Sequence, residues 1–198
     1  ITDVYYNGLN IQWSQIAIDS GNEPLLNATV HFDVVASGKC GDNLEWSLSQ
    51  QGLLYISGTG SMYDYSSASE CPWSDNTAMI RSVIIESGMT SIGKLAFSNC
   101  SSMTSIVIPT SVTSIGDIAF GRCSSIVNLE IPKNVTSIGG AAFYQCSSLT
   151  SLTIPEGVTS IGERAFAECS RLISAGPLNS DSNIKIGWKK TIPNRVFA

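Results

Sequence analysis

The sequence is short of charge. Of its 198 residues only 14% are Asp, Glu, Lys or Arg, against roughly 25% in ordinary soluble domains. Serine and threonine fill the polar positions instead. The formal net charge is −5, and basic clusters are missing: the one tight pair is Lys189-Lys190. Nucleic acid requires grouped Lys and Arg to neutralise phosphates, so it is excluded as a partner. Long apolar runs are missing too. No stretch approaches the ~18–20 residues that cross a bilayer, so direct membrane insertion of this segment is not expected. The opening residues lack the layout of a signal peptide, which carries no information about compartment.

Catalytic groups are equally scarce. His31 is the one histidine; nothing places a serine or cysteine nucleophile beside it, and "ATVHF" (Ala28 to Phe32) reads as ordinary strand. The carboxylates are scattered singly, without the paired geometry of glycoside hydrolysis. Asp42-Asn43 and Asp75-Asn76 lack calcium-loop spacing and read as turns. "SGTGS" (Ser57 to Ser61) is not followed by the Lys-Ser/Thr of a phosphate loop. The Asn-x-Ser/Thr triplets at Asn27, Asn99 and Asn134 carry little weight. Neither an enzyme nor a cofactor is expected.

What the chain does have is repetition. "VTSIGDIAFGRC", "VTSIGGAAFYQC" and "VTSIGERAFAEC" follow one another between Val112 and Cys169. Cys100, Cys123, Cys146 and Cys169 lie 23 residues apart, as do Gly93, Gly116, Gly139 and Gly162, and Phe97, Phe120, Phe143 and Phe166. A fixed period of this length marks a repeat architecture. In "SLTSLTIP" (Ser148 to Pro155), Leu149, Leu152 and Ile154 form an L-x-x-L-x-I strand, which Pro155 ends for want of an N–H. "VTSIG" is a second short extended segment, with Val158 and Ile161 inward and Thr159 and Ser160 outward. Gly162 is expected to turn a corner with φ > 0. In "ERAFAEC", Ala165, Phe166 and Cys169 fall on one side at the spacing of a single helical turn. The inward side chains of one unit cannot offset the entropy of ordering it, so units must stack as a solenoid.

These units resemble the 23-residue repeats of BspA-like leucine-rich repeat proteins, over Met89 to about Pro177. The resemblance implies an α/β repeat: a leucine-rich-repeat solenoid with short strands and single-turn helices, preceded by a β-hairpin cap. It also implies a bacterial protein, extracellular or on the cell surface, that attaches to host matrix or cell-surface proteins. "SGKCGDNLEWSLSQQGLLYISGTGSMYDY" (Ser37 to Tyr65) looks like the segment that opens such an array. "DVYYNGLNIQWSQIAIDSGNEPLLNATVHF" (Asp3 to Phe32) looks like one that closes a preceding array. "SRLISAGPLNSDSNIKIGWKKTIPNRVF" departs from the pattern by an insertion.

The expected layout is a terminal segment of a preceding array over 1–33, a β-hairpin cap over 34–79, repeats over 80–177, and an insertion leading to a further repeat over 178–198. Leu44, Trp46 and Leu48 alternate with polar residues, as do Leu54 and Ile56 across a turn containing Gly52, giving a hairpin with one buried face. Placed before the strand of Ile80, Val83 and Ile85, it would cover an open sheet edge. Ile1, Val4 and Tyr6 match inward strand positions, and "IPNRVFA" matches "IGERAFA". A longer parent protein is expected, with a cysteine two residues past Ala198.

The repeat cysteines should form a column. In-register side chains neither converge on zinc nor tilt into a disulfide, so buried free thiols are expected. Cys40 and Cys71 lie outside the period and leave two readings open: a bridge, or two separate buried thiols. With chemistry absent, surface remains. The outward strand positions Ser82, Ile84, Ser105, Val107, Asn128, Glu130, Ser151 and Thr153 should align as a candidate binding stripe, or as a plain solvated face. Tyr5, Tyr6, Trp13, Trp46, Tyr63, Tyr65 and Trp73 precede the regular repeats; exposed together, they would make a sugar-stacking platform. The reading is a non-catalytic interaction module, with a carbohydrate-binding module or a passive spacer as alternatives.

Overall fold

Each 23-residue unit touches the next along three lines, and all three can be followed in a computed structural model that describes residues 2–6, 13–176 and 185–186. The first line is a row of strands: β6 (Ser82–Ile85), β8 (Ser105–Val107), β10 (Asn128–Glu130), β12 (Ser151–Thr153) and β14 (Ser174–Gly176). The second is β7 (Met89–Ile92), β9 (Ser114–Ile115), β11 (Ser137–Ile138), β13 (Ser160–Ile161) and β15 (Lys185–Ile186), paired in parallel throughout. The third is the segment around the phenylalanine. The solenoid expected from the period is the fold observed.

The second row shows why threonine recurs in "VTSIG". The N–H of Thr113 donates to the Thr90 carbonyl at 2.9 Å, and the Thr113 hydroxyl donates to the same oxygen at 3.2 Å. Thr136 and Thr159 repeat both bonds. Each outward hydroxyl thereby doubles a main-chain bond between units, something valine at the same place cannot do.

The third line is not helical. The N–H groups of Leu95, Phe97 and Asn99 donate to the carbonyls of Asp117, Ala119 and Gly121 at 2.9, 2.7 and 2.8 Å. Those of Ala96, Ser98 and Cys100 close local turns on Gly93, Leu95 and Phe97. Alternate amides therefore serve the neighbour and the chain itself. To aim them so, Leu95 and Asn99 take φ of 63° and 65°, and the equivalents Ile118, Arg122, Ala141, Gln145, Arg164 and Glu168 lie between 51° and 63°. A left-handed residue other than glycine costs roughly 1–2 kcal/mol, which the bonds across units offset. The spacing of Ala165, Phe166 and Cys169 does put all three inside, but by a run of tight turns in place of a helical turn.

Gly162 also differs from expectation. It is not among the residues with positive φ. Its absent side chain matters because a Cβ would collide with the backbone of Gly139 and Gly140, and one on Gly116 would sit 2.6 Å from the Lys94 nitrogen. At the glycine column consecutive coils approach too closely to admit a side chain.

Inside, Phe97, Phe120, Phe143 and Phe166 form one stack with ring centroids 5.3 Å apart at every step and interplanar angles of 15°, 4° and 1°. Trp73 continues the stack onto Phe97 at 5.6 Å, and Trp46 meets Trp73 edge-on. Trp73 also donates its indole N–H to the Ala96 carbonyl at 2.8 Å. In later units that carbonyl accepts the main-chain N–H of the preceding phenylalanine, so one tryptophan stands in for both ring and amide of a missing coil.

Beyond Trp73 the sheet continues through β3 (Val34–Gly41), β4 (Asn43–Ser49) and β5 (Leu53–Ser61), an antiparallel meander where a two-stranded hairpin is expected. Gly52 makes its turn with φ of 83°. β5 is long enough to serve both rows: Leu53 to Ile56 pair with β6, and Gly60 pairs with Met89 of β7. Gly58 and Gly60, with φ of 106° and 97°, bend it between the two faces. Upstream, β1 (Asp3–Tyr6) and β2 (Thr29–Phe32) pair in parallel, with the short helix α1 (Glu23–Leu26) between them. At the other end β14 keeps the period against β12, whereas β15 pairs with β13 at a separation of 25 residues. The insertion therefore adds two residues to the coil between β14 and β15. The expected repeat start at "IPNRVFA", the pair Lys189-Lys190 and Ile1 lie outside the described residues.

All six cysteines are free and buried. The Cys123, Cys146 and Cys169 thiols donate to the carbonyls of Phe97, Phe120 and Phe143 at 3.0–3.2 Å. Cys71, placed outside the period by sequence, donates forward to the Ala96 carbonyl at 3.1 Å, where the repeat thiols reach back to a phenylalanine carbonyl; no bridge joins it to Cys40.

Two predictions follow from this core. Phe143→Ala opens the middle of the ring stack and lowers the unfolding free energy by about 3–5 kcal/mol in urea denaturation. Burial pushes the Cys40 and Cys71 thiols up to about 12, while an unfolded cysteine titrates near ~8.5. Their neutral burial thus favours the fold fully below pH ~8.5, and that contribution fades as pH climbs toward 12. The unfolding midpoint should fall across this alkaline window, with thiols alkylated only on unfolding.

Candidate functional site

The alternation of β6, β8, β10 and β12 sends Val83, Leu129 and Leu152 inward and one row of side chains outward. Register places Ser82 beside Ser105 and Ile84 beside Val107; it places Asn128 beside Ser151 and Glu130 beside Thr153. Ser82 is half-buried, and Ile84, Ser105, Val107, Asn128, Glu130, Ser151 and Thr153 are exposed. The eight positions therefore lie on one face, as two paired groups of four. Asn128, Glu130, Ser151 and Thr153 line a groove of about 850 Å³ with Ile106 and Lys133.

The row is more apolar than its serines suggest. Val107 is 61% exposed and Ile84 37%, and Val127 and Ile173, each just before a strand, are 46% and 72% exposed. At the near end, Tyr55 of β5 lies in register with Ile84. It is buried, and its hydroxyl donates to the Glu86 carboxylate. Burial and that bond push its pKa well up, so Tyr55 is a fixed neutral end to the row. Sequence reasoning missed it because it grouped no aromatic with the strand face.

A second groove, of about 710 Å³, runs along the turn side between Asn99, Arg122, Gln145 and Glu168 and the serines that follow each cysteine. Here the side chains bond to one another. Arg122 Nε donates to Gln145 Oε1 at 3.1 Å, and Gln145 Nε2 donates to Glu168 Oε2 at 2.6 Å. Tyr144 donates to the other Glu168 oxygen at 2.8 Å, with Arg164 over its ring. Gln145 and Tyr144 together hold the Glu168 carboxyl below its ordinary value. The signal in sequence was a long polar residue before each cysteine, which no motif flags.

The amino-terminal aromatics do not form a platform among the described residues. Trp46, Tyr65 and Trp73 are buried and Trp13 is half-buried. Tyr63 is exposed, but its hydroxyl is committed to Asp42 at 2.8 Å. The side chains of Tyr5, Tyr6 and His31 lie outside what is described; His31 is a residue of β2. Among the described residues no group of His, Cys, Asp and Glu could hold a metal ion, and no helix is long and apolar enough to cross a membrane.

Short parallel strands, one per coil and stacked on an invariant inward pattern, define the leucine-rich repeat class. Within it the assignment is specific: residues 75–187 match the BspA type leucine rich repeat region in six copies, and the chain belongs to that family. Among solved structures it is similar to a leucine-rich repeat protein from Eubacterium ventriosum, 28% identical with a TM-score of 0.58, over 76% of this chain and 44% of that one. A leucine rich cell surface protein from Faecalibacterium prausnitzii is 22% identical with a TM-score of 0.53, over 100% of this chain and 51% of that one. A leucine-rich repeat protein from Bacteroides ovatus is 25% identical with a TM-score of 0.52, over 69% of this chain and 40% of that one. The chain thus spans about half or less of the length of these three. Comparison with curated proteins gives no match.

Because Glu130 and Thr153 are exposed, Glu130→Ala and Thr153→Ala should each shift stability by under about 0.5 kcal/mol in chemical denaturation.

Proposed function

We propose that this chain is a non-catalytic interaction module of a secreted or surface-attached bacterial protein, adhering to host matrix or cell-surface proteins through its outward strand face. The observation that carries the reading is the row itself. Its side chains are aligned by register in two groups of four and all but Ser82 are exposed, and Ile84 and Val107 give it apolar area that water does not favour. The turn side is a poorer candidate, since its polar groups already satisfy one another. Membership of the BspA type family and likeness to a protein described as a cell surface protein support an extracellular setting. The carbohydrate reading depended on aromatics exposed together, and the buried Trp46, Tyr65 and Trp73 withdraw three of them.

The test is binding of the purified chain to immobilised extracellular matrix proteins and to a glycan array. Val107→Asp with Glu130→Lys should weaken matrix-protein binding by about tenfold or more, as expected for residues central to an interface. Gln145→Ala, on the turn side, should leave it unchanged. Binding confined to glycans, or matrix binding indifferent to the strand-face variant, overturns the proposal. No binding to either identifies a spacer.

A further inference from the structure

The strand row is not uniform. Into β8 the Thr104 N–H donates to the Arg81 carbonyl at 2.9 Å; into β12 Thr150 donates to Val127 at 2.9 Å; into β14 Ile173 donates to Thr150 at 3.0 Å. Among the described residues the equivalent bond from Val127 to the Thr104 carbonyl is missing. The strand pairing stops there as well: β6 pairs with β8, and β10 with β12 and β14, but no pairing joins β8 to β10.

Side chains repeat the division. Thr104 Oγ1 ties back to the Arg81 carbonyl at 3.1 Å, and Thr150 Oγ1 to the Val127 carbonyl at 3.2 Å. Asn128 points its bonding capacity forward, accepting from Ser151 at 3.2 Å. Val127 has no hydroxyl with which to tie back. Packing loosens at the same place. Ile106 of β8 is only half-buried and lines the groove, whereas its counterparts Val83, Leu129 and Leu152 are buried.

The other two lines of the stack run through this step without interruption. Thr136 donates to Thr113 and Gly139 to Ile115, both at 2.8 Å; Phe120 N–H reaches the Ala142 carbonyl at 2.8 Å, and the Phe120 and Phe143 rings stack at 5.3 Å. One face lacks strand pairing between two neighbouring coils that stay joined on the remaining faces.

We propose that the solenoid carries a hinge in its strand sheet at the step between β8 and β10. Bending there opens or closes the strand face while β9 and β11 and the phenylalanine stack act as the pivot. The hinge divides the outward row into two plates, Ile84 and Val107 on one and Glu130 and Thr153 on the other. A partner lying across the row meets two surfaces whose mutual angle adjusts. The hinge is a property of the free chain and stands or falls independently of what the row binds.

Hydrogen exchange read at single amides tests it on the full chain. The Val127 amide should exchange at least about tenfold faster than those of Thr104 and Thr150, the factor set by one main-chain bond of about 1.4 kcal/mol. Val127→Thr supplies a hydroxyl facing the Thr104 carbonyl and should slow that exchange at least about threefold, leaving the Thr136 amide unchanged. A Val127 amide as protected as Thr104 and Thr150 overturns the hinge. So does a Val127→Thr chain whose exchange at 127 matches the parent.

Discussion

No coil of this chain can satisfy its own backbone. The amides of Leu95, Phe97 and Asn99 find acceptors only on the next coil, and the Thr113 amide finds its acceptor only on the preceding one. A buried amide left without a partner costs more than a made bond returns, so the units form together or not at all. The tight turns, the left-handed residues and the glycine approach all follow from that dependence. Each is unfavourable alone and is held by the bonds and ring contacts it makes possible.

A stack held this way needs a beginning. Its exposed first face would present an open sheet edge, an unstacked phenylalanine ring and carbonyls without donors. Here the three needs are met by different residues. β5 supplies main-chain pairing to both strand rows, bent by Gly58 and Gly60. Trp73 supplies a ring and a donor at once, and Cys71 shares the same acceptor. Tryptophan suits the role because no other apolar ring of that breadth carries an N–H.

The parts legible in sequence were those where one residue type is forced. Phenylalanine every 23 residues has to stack, leucine and isoleucine at L-x-x-L-x-I have to face inward, and the outward row follows by alternation. Conformation at the turn was hidden, because the left-handed positions carry Leu, Ile, Ala, Arg, Asn, Gln and Glu rather than glycine. Local propensity points away from φ > 0 for most of these, and tertiary hydrogen bonding overrides it. Conversely Gly162 suggested a left-handed corner, whereas its cause is the nearness of Gly139 and Gly140, which no local pattern reveals. The meander strand β3 and the row's end at Tyr55 were missed for the same reason: both depend on which segments meet across the sheet.

The four copies also allow a comparison within the chain. Several positions that touch a neighbouring coil carry the same residue each time: Thr and Ser on the second row, Gly at the close approach, Phe in the stack and Cys beside it. One outward strand position reads Ile84, Val107, Glu130, Thr153 in successive coils. If packing chose those residues they would agree, since the packing is the same in each coil. They change from β-branched and apolar to anionic to hydroxyl, so nothing inside the molecule selects them.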